Sequence, residues 1–385
     1  MSTLNLKEIK NPNAASGIQL LNDGGVVLPG SLTSTVTGGG GSISGDRNRV
    51  INGSCQIVNV ATFVAANNTN GYGGPEMFQA VNSGAGGQFT QSQGSLTFEG
   101  ITLPTVRQTV NTAITSTATT NFWHGIITAI EGYNAFDLRG KPVVVSFVFN
   151  TNVTGTYSVA LRDSTPAQSY VTTITATANT PVQVKIPIAA IPLAASVPNT
   201  NAQGLSIAVG FLNTGTLQTP TLNAWQSGNF VSATGATNWG ATAGNFIELT
   251  RLQLEEGTVA TPFVWRSYGQ ELLLTKRYFQ WISSIDGEED LVAIATASNS
   301  VSFAIKYEVE MRTAPTISGV VRINPNDLNG ILAQLSNGLA LVRGSTQYAD
   351  LRFTKATANL TAGTAYQVDV AIAGGATRLS ASARL

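Results

Sequence analysis

The 385-residue chain is short of charge. Lysine plus arginine and aspartate plus glutamate number 21 each, so 11% of the residues are charged and the formal net charge is zero. An ordinary soluble domain carries about 25%. A compact monomer of this mass would expose roughly 14,000 Å², so its charges would be thinly spread. A neutral surface excludes a nucleic-acid binder, which needs a basic field, and a polybasic membrane anchor. One cysteine, Cys55, excludes an intrachain disulfide. One histidine, His124, excludes a zinc cage built on histidines. No apolar run reaches 18 residues; the richest stretch, 182–197, is broken by Pro187 and Pro192, so no membrane insertion is expected. The first residues, Met1 to Glu8, lack the basic segment and apolar core of a signal peptide. The expected route is synthesis in a cytoplasm and export without the secretory pathway. No cofactor is expected.

Neutral polarity and period-two patterning take the place of charge. Glycine numbers 39, with many Thr, Ser, Asn and Gln. Val301, Phe303, Ile305, Tyr307, Val309 and Met311 alternate with Ser302, Ala304, Lys306, Glu308 and Glu310, which reads as a strand with one wet face. Val182–Ile188, Leu205–Phe211 and Tyr157–Leu161 alternate likewise, whereas Val143–Phe149 is apolar on both faces and reads as a central strand. One strand changes parity: Ile247 and Leu249 are in one phase, Leu252 and Leu254 in the other. Either a bulge at Thr250–Arg251 restores the inward face or both faces are buried. Ser267 to Trp281 is the one good helix, with Ser267 as its cap. The spacing predicts an all-β protein built around an antiparallel jelly-roll sandwich.

Four zones follow. Residues 1–46 hold Ile18–Leu21 and Val26–Leu28 about Asp23-Gly24-Gly25, a hairpin signal, and then a glycine-rich linker. Residues 47–265 form the sandwich, 266–282 a connecting helix, and 283–385 a smaller β domain. The absence of long repeats excludes a repetitive β-helix.

Three stretches carry a resemblance: Asn48-Arg-Val-Ile-Asn-Gly53; Ile130-Glu-Gly-Tyr133 through Leu138-Arg-Gly140 to Gly155–Asp163; and Leu252–Glu256, Gly257, Thr261-Pro-Phe-Val-Trp-Arg266, then Tyr268-Gly269, Glu271-Leu272 and Arg277-Tyr-Phe279. Together they resemble bacteriophage tail-fibre and related virion proteins with a carbohydrate-binding-like jelly-roll domain, over about residues 47–282. The resemblance implies a virion structural protein in the phage tail, assembled in the host cytoplasm, most often a homotrimer. It does not by itself show sugar binding; attachment to a bacterial surface glycan is expected from the neutral polar surface, since sugars offer hydroxyls more often than charge, and residues 1–46 resemble an arm that docks on another virion protein. A capsid decoration or tail adaptor without a receptor role, and a tail-associated depolymerase, are the alternatives. Related jelly rolls that hold calcium place carboxylates after the opening Asn-Gly; here Ser54-Cys55-Gln56 follows and the last strand offers Glu248, so no metal is expected.

Catalysis finds little support. A Ser-His-Asp set could use only His124, and no serine sits in a Gly-x-Ser-x-Gly elbow. Glu131, Asp137 and Asp163 are close in sequence but read as structural, and Cys55 as a small buried hydrophobe. Aromatics near polar small residues are the candidates for glycan stacking. Trp225 and Trp239 lie in the Gly/Ser/Thr/Asn-rich stretch 223–244. Trp123 precedes His124, a candidate polar donor, and Tyr72 lies in Asn-Gly-Tyr-Gly-Gly. For each, the alternative is packing in the sandwich or at a subunit interface.

Overall fold

The computed structural model describes residues 8–9, 18–20, 26–27, 47–66, 68–83, 86–114, 123–213, 215–282, 291–318, 321–324, 339–354, 360–370 and 379–385. Two antiparallel sheets face each other. The front sheet runs Val182–Ile188, Val143–Thr151, Phe246–Glu256, Ile101–Thr112, Gln88–Phe98, Thr62–Ala65. The back sheet runs Trp225–Ser227, Gln168–Ala176, Gly155–Asp163, Gln203–Asn213, Trp123–Glu131, Phe78–Ser83, Thr69–Tyr72. The chain passes repeatedly from one sheet to the other, which is the winding of a jelly roll.

Alternation decides which side chains meet between the sheets. Val145, Phe147 and Phe149 from the front and Tyr157, Val159, Leu161, Ile207 and Val209 from the back share one buried cluster. Strand Val143–Thr151 is buried throughout, as expected for a run that is apolar from Val143 to Phe149 but for Ser146. The parity change in Phe246–Glu256 is a bulge. Val148 pairs with Thr250 and Ser146 with Gln253, so Arg251 and Leu252 together oppose Phe147. Arg251 takes φ 52°, and Leu252 and Leu254 return to the core.

Each sheet has its outer face covered by a different segment. Over the back sheet, Val231 and Ala233, with Leu217, Leu222 and Phe230 around them, pack on Ala160, Val171 and Ala208. Over the front sheet, the segment after Glu256 is pinned by polar groups. Thr261 donates its backbone N–H (2.8 Å) and its hydroxyl (2.6 Å) to the Glu255 carboxylate, and Val264 N–H donates to Gln253 at 2.9 Å.

The segments that carry the resemblance are wired to one another. Asn48 accepts from Val50 and Leu254 N–H and donates to the Leu252 carbonyl. Arg49 forks onto Asp137 at 2.8 and 3.1 Å. Arg266 pairs with Glu271 at 2.9 Å and also donates to the carbonyls of Asn48 and Val50. Glu131 accepts from Arg277 and from the Tyr278 hydroxyl. These carboxylates are almost wholly buried apart from Asp137, so the pairing offsets a desolvation cost that an unpaired charge could not bear.

The helix is shorter than 266–282. It spans Tyr268–Lys276, with the Ser267 hydroxyl accepting from Gln270 N–H at its start. Phe279–Trp281 is instead a strand, paired with Ser380–Ser382, which pairs on with Thr316–Ser318. Tyr278 satisfied the helical spacing but is drawn out to Glu131. A second sheet follows in the order Val321–Asn324, Ala365–Val370, Leu291–Ala297, Ser300–Lys306, Tyr348–Thr354, Leu339–Gly344. Val301, Phe303, Ile305, Tyr307 and Met311 are its buried face, as the alternation predicts. In the first 46 residues, Gln19 pairs with Val27 and Leu20 with Val26, the pairing of the expected hairpin, and Glu8–Ile9 adds a third strand. The hinge Asp23–Gly25 and the glycine-rich linker lie outside the described residues.

Candidate functional site

The bulge at Arg251 opens onto a groove of about 450 Å³ on the outer face of the front sheet. Ser146, Gln183 and Lys185 form its floor, Ala260–Phe263 and Trp265 one wall, and Glu99 another. Period two acts in the wall too. Val264 turns its N–H to Gln253 and Arg266 turns inward to Glu271, which leaves Phe263 and Trp265 on the groove side. Their rings meet edge-on, 5.0 Å between centroids, and Trp265 is 48% exposed.

Arg251 lies between aromatics. Its guanidinium is 5.4 Å from the Trp265 ring centre and 6.0 Å from that of Phe98. Its ion pair with Glu99 is 3.5 Å long. Glu99 sits in the turn joining Gln88–Phe98 to Ile101–Thr112, at φ 52° and followed by Gly100 at 77°. Two positive φ values in a two-residue hairpin turn match the twist of the flanking strands. Asparagine is the usual non-glycine residue there. A charged residue in the left-handed region is unusual, and among the described residues only Glu99 and Arg251 are such. They face each other across this groove. Strain of this kind gathers where a side chain must be aimed.

The four aromatics expected from sequence do not come together. Trp239 is fully buried and cannot meet a ligand: its indole N–H donates to the Gly210 carbonyl at 2.8 Å, and it packs edge-on against His124 and Phe89. His124 is not a surface donor either; burial drives its pKa down from 6.5 to about 3. Tyr72 is occupied by the chain itself. Its hydroxyl donates to Leu385, the Arg384 guanidinium lies 4.8 Å from its ring centre, and burial pushes its pKa up to about 12. The backbone of Trp123 is strand, but its side chain lies outside the described residues. Trp225 is half-buried at the edge of the back sheet. It packs against Tyr170, and its indole N–H donates to the Ala189 carbonyl at 2.9 Å. Tyr170 and Asn223 also border a second groove, about 520 Å³, between Gln168–Ala176 and Val182–Ile188.

A scan against protein-family models finds no match, and a search of curated proteins finds none either. Among solved structures, the chain is similar to two carbohydrate-binding modules. One, described as "CBM4 structure and function", is 13% identical over 53% of this chain and 97% of its own, with a TM-score of 0.26. The other is the family 11 carbohydrate-binding module of the cellulosomal cellulase Lic26A-Cel5E of Clostridium thermocellum, 9% identical over 54% of this chain and 94% of its own, with a TM-score of 0.25. Values of this size leave the ligand to be argued from the groove.

The remaining polar groups have structural partners. Asp163 accepts from the N–H groups of Ala167, Gln168 and Ser196. Glu248 is held by Thr105, Asn150 and Arg107 at 2.8–3.1 Å. Asn52 pairs with Ile57 and with the Glu76 carbonyl. Cys55 is fully buried, its thiol pushed up to about 12 by that burial. Among the described residues no group of three or more His, Cys, Asp or Glu could hold a metal ion. Phe263 and Trp265 are the site residues that sequence reasoning passed over. Their signal was the alternation in 263–266, with an arginine at the inward position.

Proposed function

We propose that the groove beside Arg251 binds a glycan, and that the chain is a non-enzymatic virion protein that displays it. Trp265 carries the glycan reading. It is a half-exposed indole on the wall of a groove floored by Ser146, Gln183 and Lys185. An aromatic surface takes the apolar face of a pyranose while neighbouring donors and acceptors fix its hydroxyls. The non-enzymatic reading is supported by the roles of Glu131, Asp137 and Asp163, each bound to partners within the fold. The tail-fibre reading, a homotrimer anchored to another virion protein through residues 1–46 and attached to a bacterial surface glycan, rests on the resemblance of the three motif segments and the neutral polar surface. One such groove binds modestly; several linked copies raise avidity by on the order of 10²–10⁴ when geometry allows simultaneous contact.

The test is adsorption of the full chain to host cells and to a panel of bacterial surface oligosaccharides, with Trp265→Ala alongside. The expected result is at least a tenfold loss for the variant with a shift of only a few degrees in melting temperature, because the side chain is half in water. Unchanged adsorption with an unchanged fold would overturn the groove as the binding site. Cleavage of any oligosaccharide in the panel would overturn the non-enzymatic reading.

A further inference from the structure

Arg251 is the least satisfied of the ion-paired arginines. Its side chain is only 13% exposed, yet its one ion pair is 3.5 Å long and runs to a Glu99 side chain that is 67% exposed. Every other arginine ion pair among the described residues is 3.1 Å or shorter. Arg49, Arg277 and Arg384 each place two nitrogens on one carboxylate. A guanidinium taken out of water needs such partners, and its fork matches a planar carboxylate. Nε of Arg251 is buried and without a hydrogen-bond partner, as are those of Arg49 and Arg107, so what sets Arg251 apart is its one long ion pair. The aromatic rings on either side stabilise its charge but accept no hydrogen bond in the fork geometry.

We infer that the groove selects an acidic glycan, and that Arg251 receives the carboxylate of a uronic-acid residue whose ring lies against Trp265. The inference rests on the glycan reading of the groove and names its ligand class. Glu99 is the fold's own placeholder, a carboxylate in loose contact with the guanidinium. Being mostly in water, it is screened and readily displaced. Lys185 adds a second positive charge on the floor, so the lining charges, Arg251 and Lys185 against Glu99, sum to one positive. The left-handed conformation at Arg251 holds the guanidinium over the groove.

The experiment uses the full chain and a panel of bacterial capsular oligosaccharides, each presented in its native uronate form and after carboxyl reduction to the neutral sugar. The expected result is at least tenfold tighter binding of a native form than of its reduced counterpart. Arg251→Gln should remove that difference and leave weak binding of the reduced form. Glu99→Gln should raise the ratio of native-form to reduced-form binding several-fold, which a purely structural role for Glu99 would not produce. Inorganic phosphate should compete less well than free glucuronate. Equal binding of both forms, with Trp265→Ala weakening both, would overturn the acidic preference and leave the glycan groove standing. Competition by phosphate equal to that by glucuronate would overturn the carboxylate assignment. Failure of every panel member to bind above the Trp265→Ala background would overturn both.

Discussion

The two sheets of the sandwich are covered differently. Over the back sheet an apolar cluster, Val231, Ala233 and Phe230 against Ala160, Val171 and Ala208, adds to hydrogen bonds from Ala233 N–H to Ser158, Phe230 N–H to Ser169 and Arg162 to Asn229. Over the front sheet the cover is tied down by Glu255 and Gln253 through hydrogen bonds. Apolar packing closes on itself because it gains from every bit of surface removed from water. A hydrogen-bonded cover has to be held only at its pinning points, and here it leaves a groove. Two tryptophans mark the extremes, Trp239 in the core between the sheets and Trp265 on the front cover. Trp239 has a neutral imidazole at 5.0 Å and Phe89 at 6.1 Å, and is closed off. Trp265 has a guanidinium at 5.4 Å and Phe263 at 5.0 Å, and is half open.

The sharpest way to break this contrast is to remove the two indoles separately. Trp239→Ala empties a fully buried site and should cost about 3–5 kcal/mol of stability, read as a fall in denaturant midpoint. Trp265→Ala should cost no more than about 1 kcal/mol by the same measure, chiefly the lost cation–π attraction to Arg251. If the two variants unfold alike, the wall that carries Trp265 is as closed as the core between the sheets. A smaller effect is expected from Glu255→Ala, which removes the pin and leaves Thr261 without its carboxylate. Hydrogen bonds to a charged group are worth about 1.5–3 kcal/mol, and the variant should lose that together with glycan binding. Retained binding in Glu255→Ala would show that the wall holds Trp265 in place without its polar pins.

The framework behind this contrast is legible in the sequence, but the contrast between the two tryptophans is not, and the reasons are physical. The parity change at Thr250–Arg251 located the bulge, because a strand must return its large aliphatics to the core. The alternation from Val301 to Met311 gave the buried face of the C-terminal sheet even though the strand stops at Lys306. Composition misled at 223–244. Small polar residues there suggested an exposed loop, but small residues also let a segment pack closely. A Cβ at Gly240 would lie 2.9 Å from Nε2 of His124, so the glycine is what brings the chain beside the buried histidine. The helix was overextended because Leu274, Tyr278 and Trp281 fit a 3.6-residue period, while the pull of Glu131 on Tyr278 is a long-range contact that no local pattern encodes.

Acid should sharpen the contrast from the buried side. His124 has its pKa lowered to about 3 by burial, against about 6.5 in an unfolded chain. Between these values the unfolded state binds a proton that the folded state refuses. The contribution is therefore present in full above pH 6.5 and is lost as pH falls toward 3, by at most about 1.4 kcal/mol per pH unit. His124→Gln should flatten that part of the stability profile from pH 6.5 to 4. An unchanged slope would mean that carboxylates, not the imidazole beside Trp239, govern acid unfolding.

An effect on stability as small as that of Trp265→Ala, and the most telling about the groove, is expected of Arg251→Gly. At φ 52° a side chain is held in a conformation that costs roughly 1–2 kcal/mol for an L-residue and little for glycine. Against that relief stand two attractions that glycine cannot make. One is the cation–π attraction to Trp265 and Phe98, worth about 0.5–1 kcal/mol at exposed sites. The other is a 3.5 Å ion pair with an exposed partner, worth about 0–1 kcal/mol. The two sides nearly cancel, so the denaturant midpoint should move by no more than about 1 kcal/mol in either direction, and glycan binding should fall at least tenfold. A core position behaves otherwise, losing stability first and function only as a consequence. If Arg251→Gly unfolds as readily as Trp239→Ala, the guanidinium is a structural prop between two rings and the front cover is as closed as the core. If stability holds and binding is lost, the left-handed turn at this position is retained for what the arginine reaches.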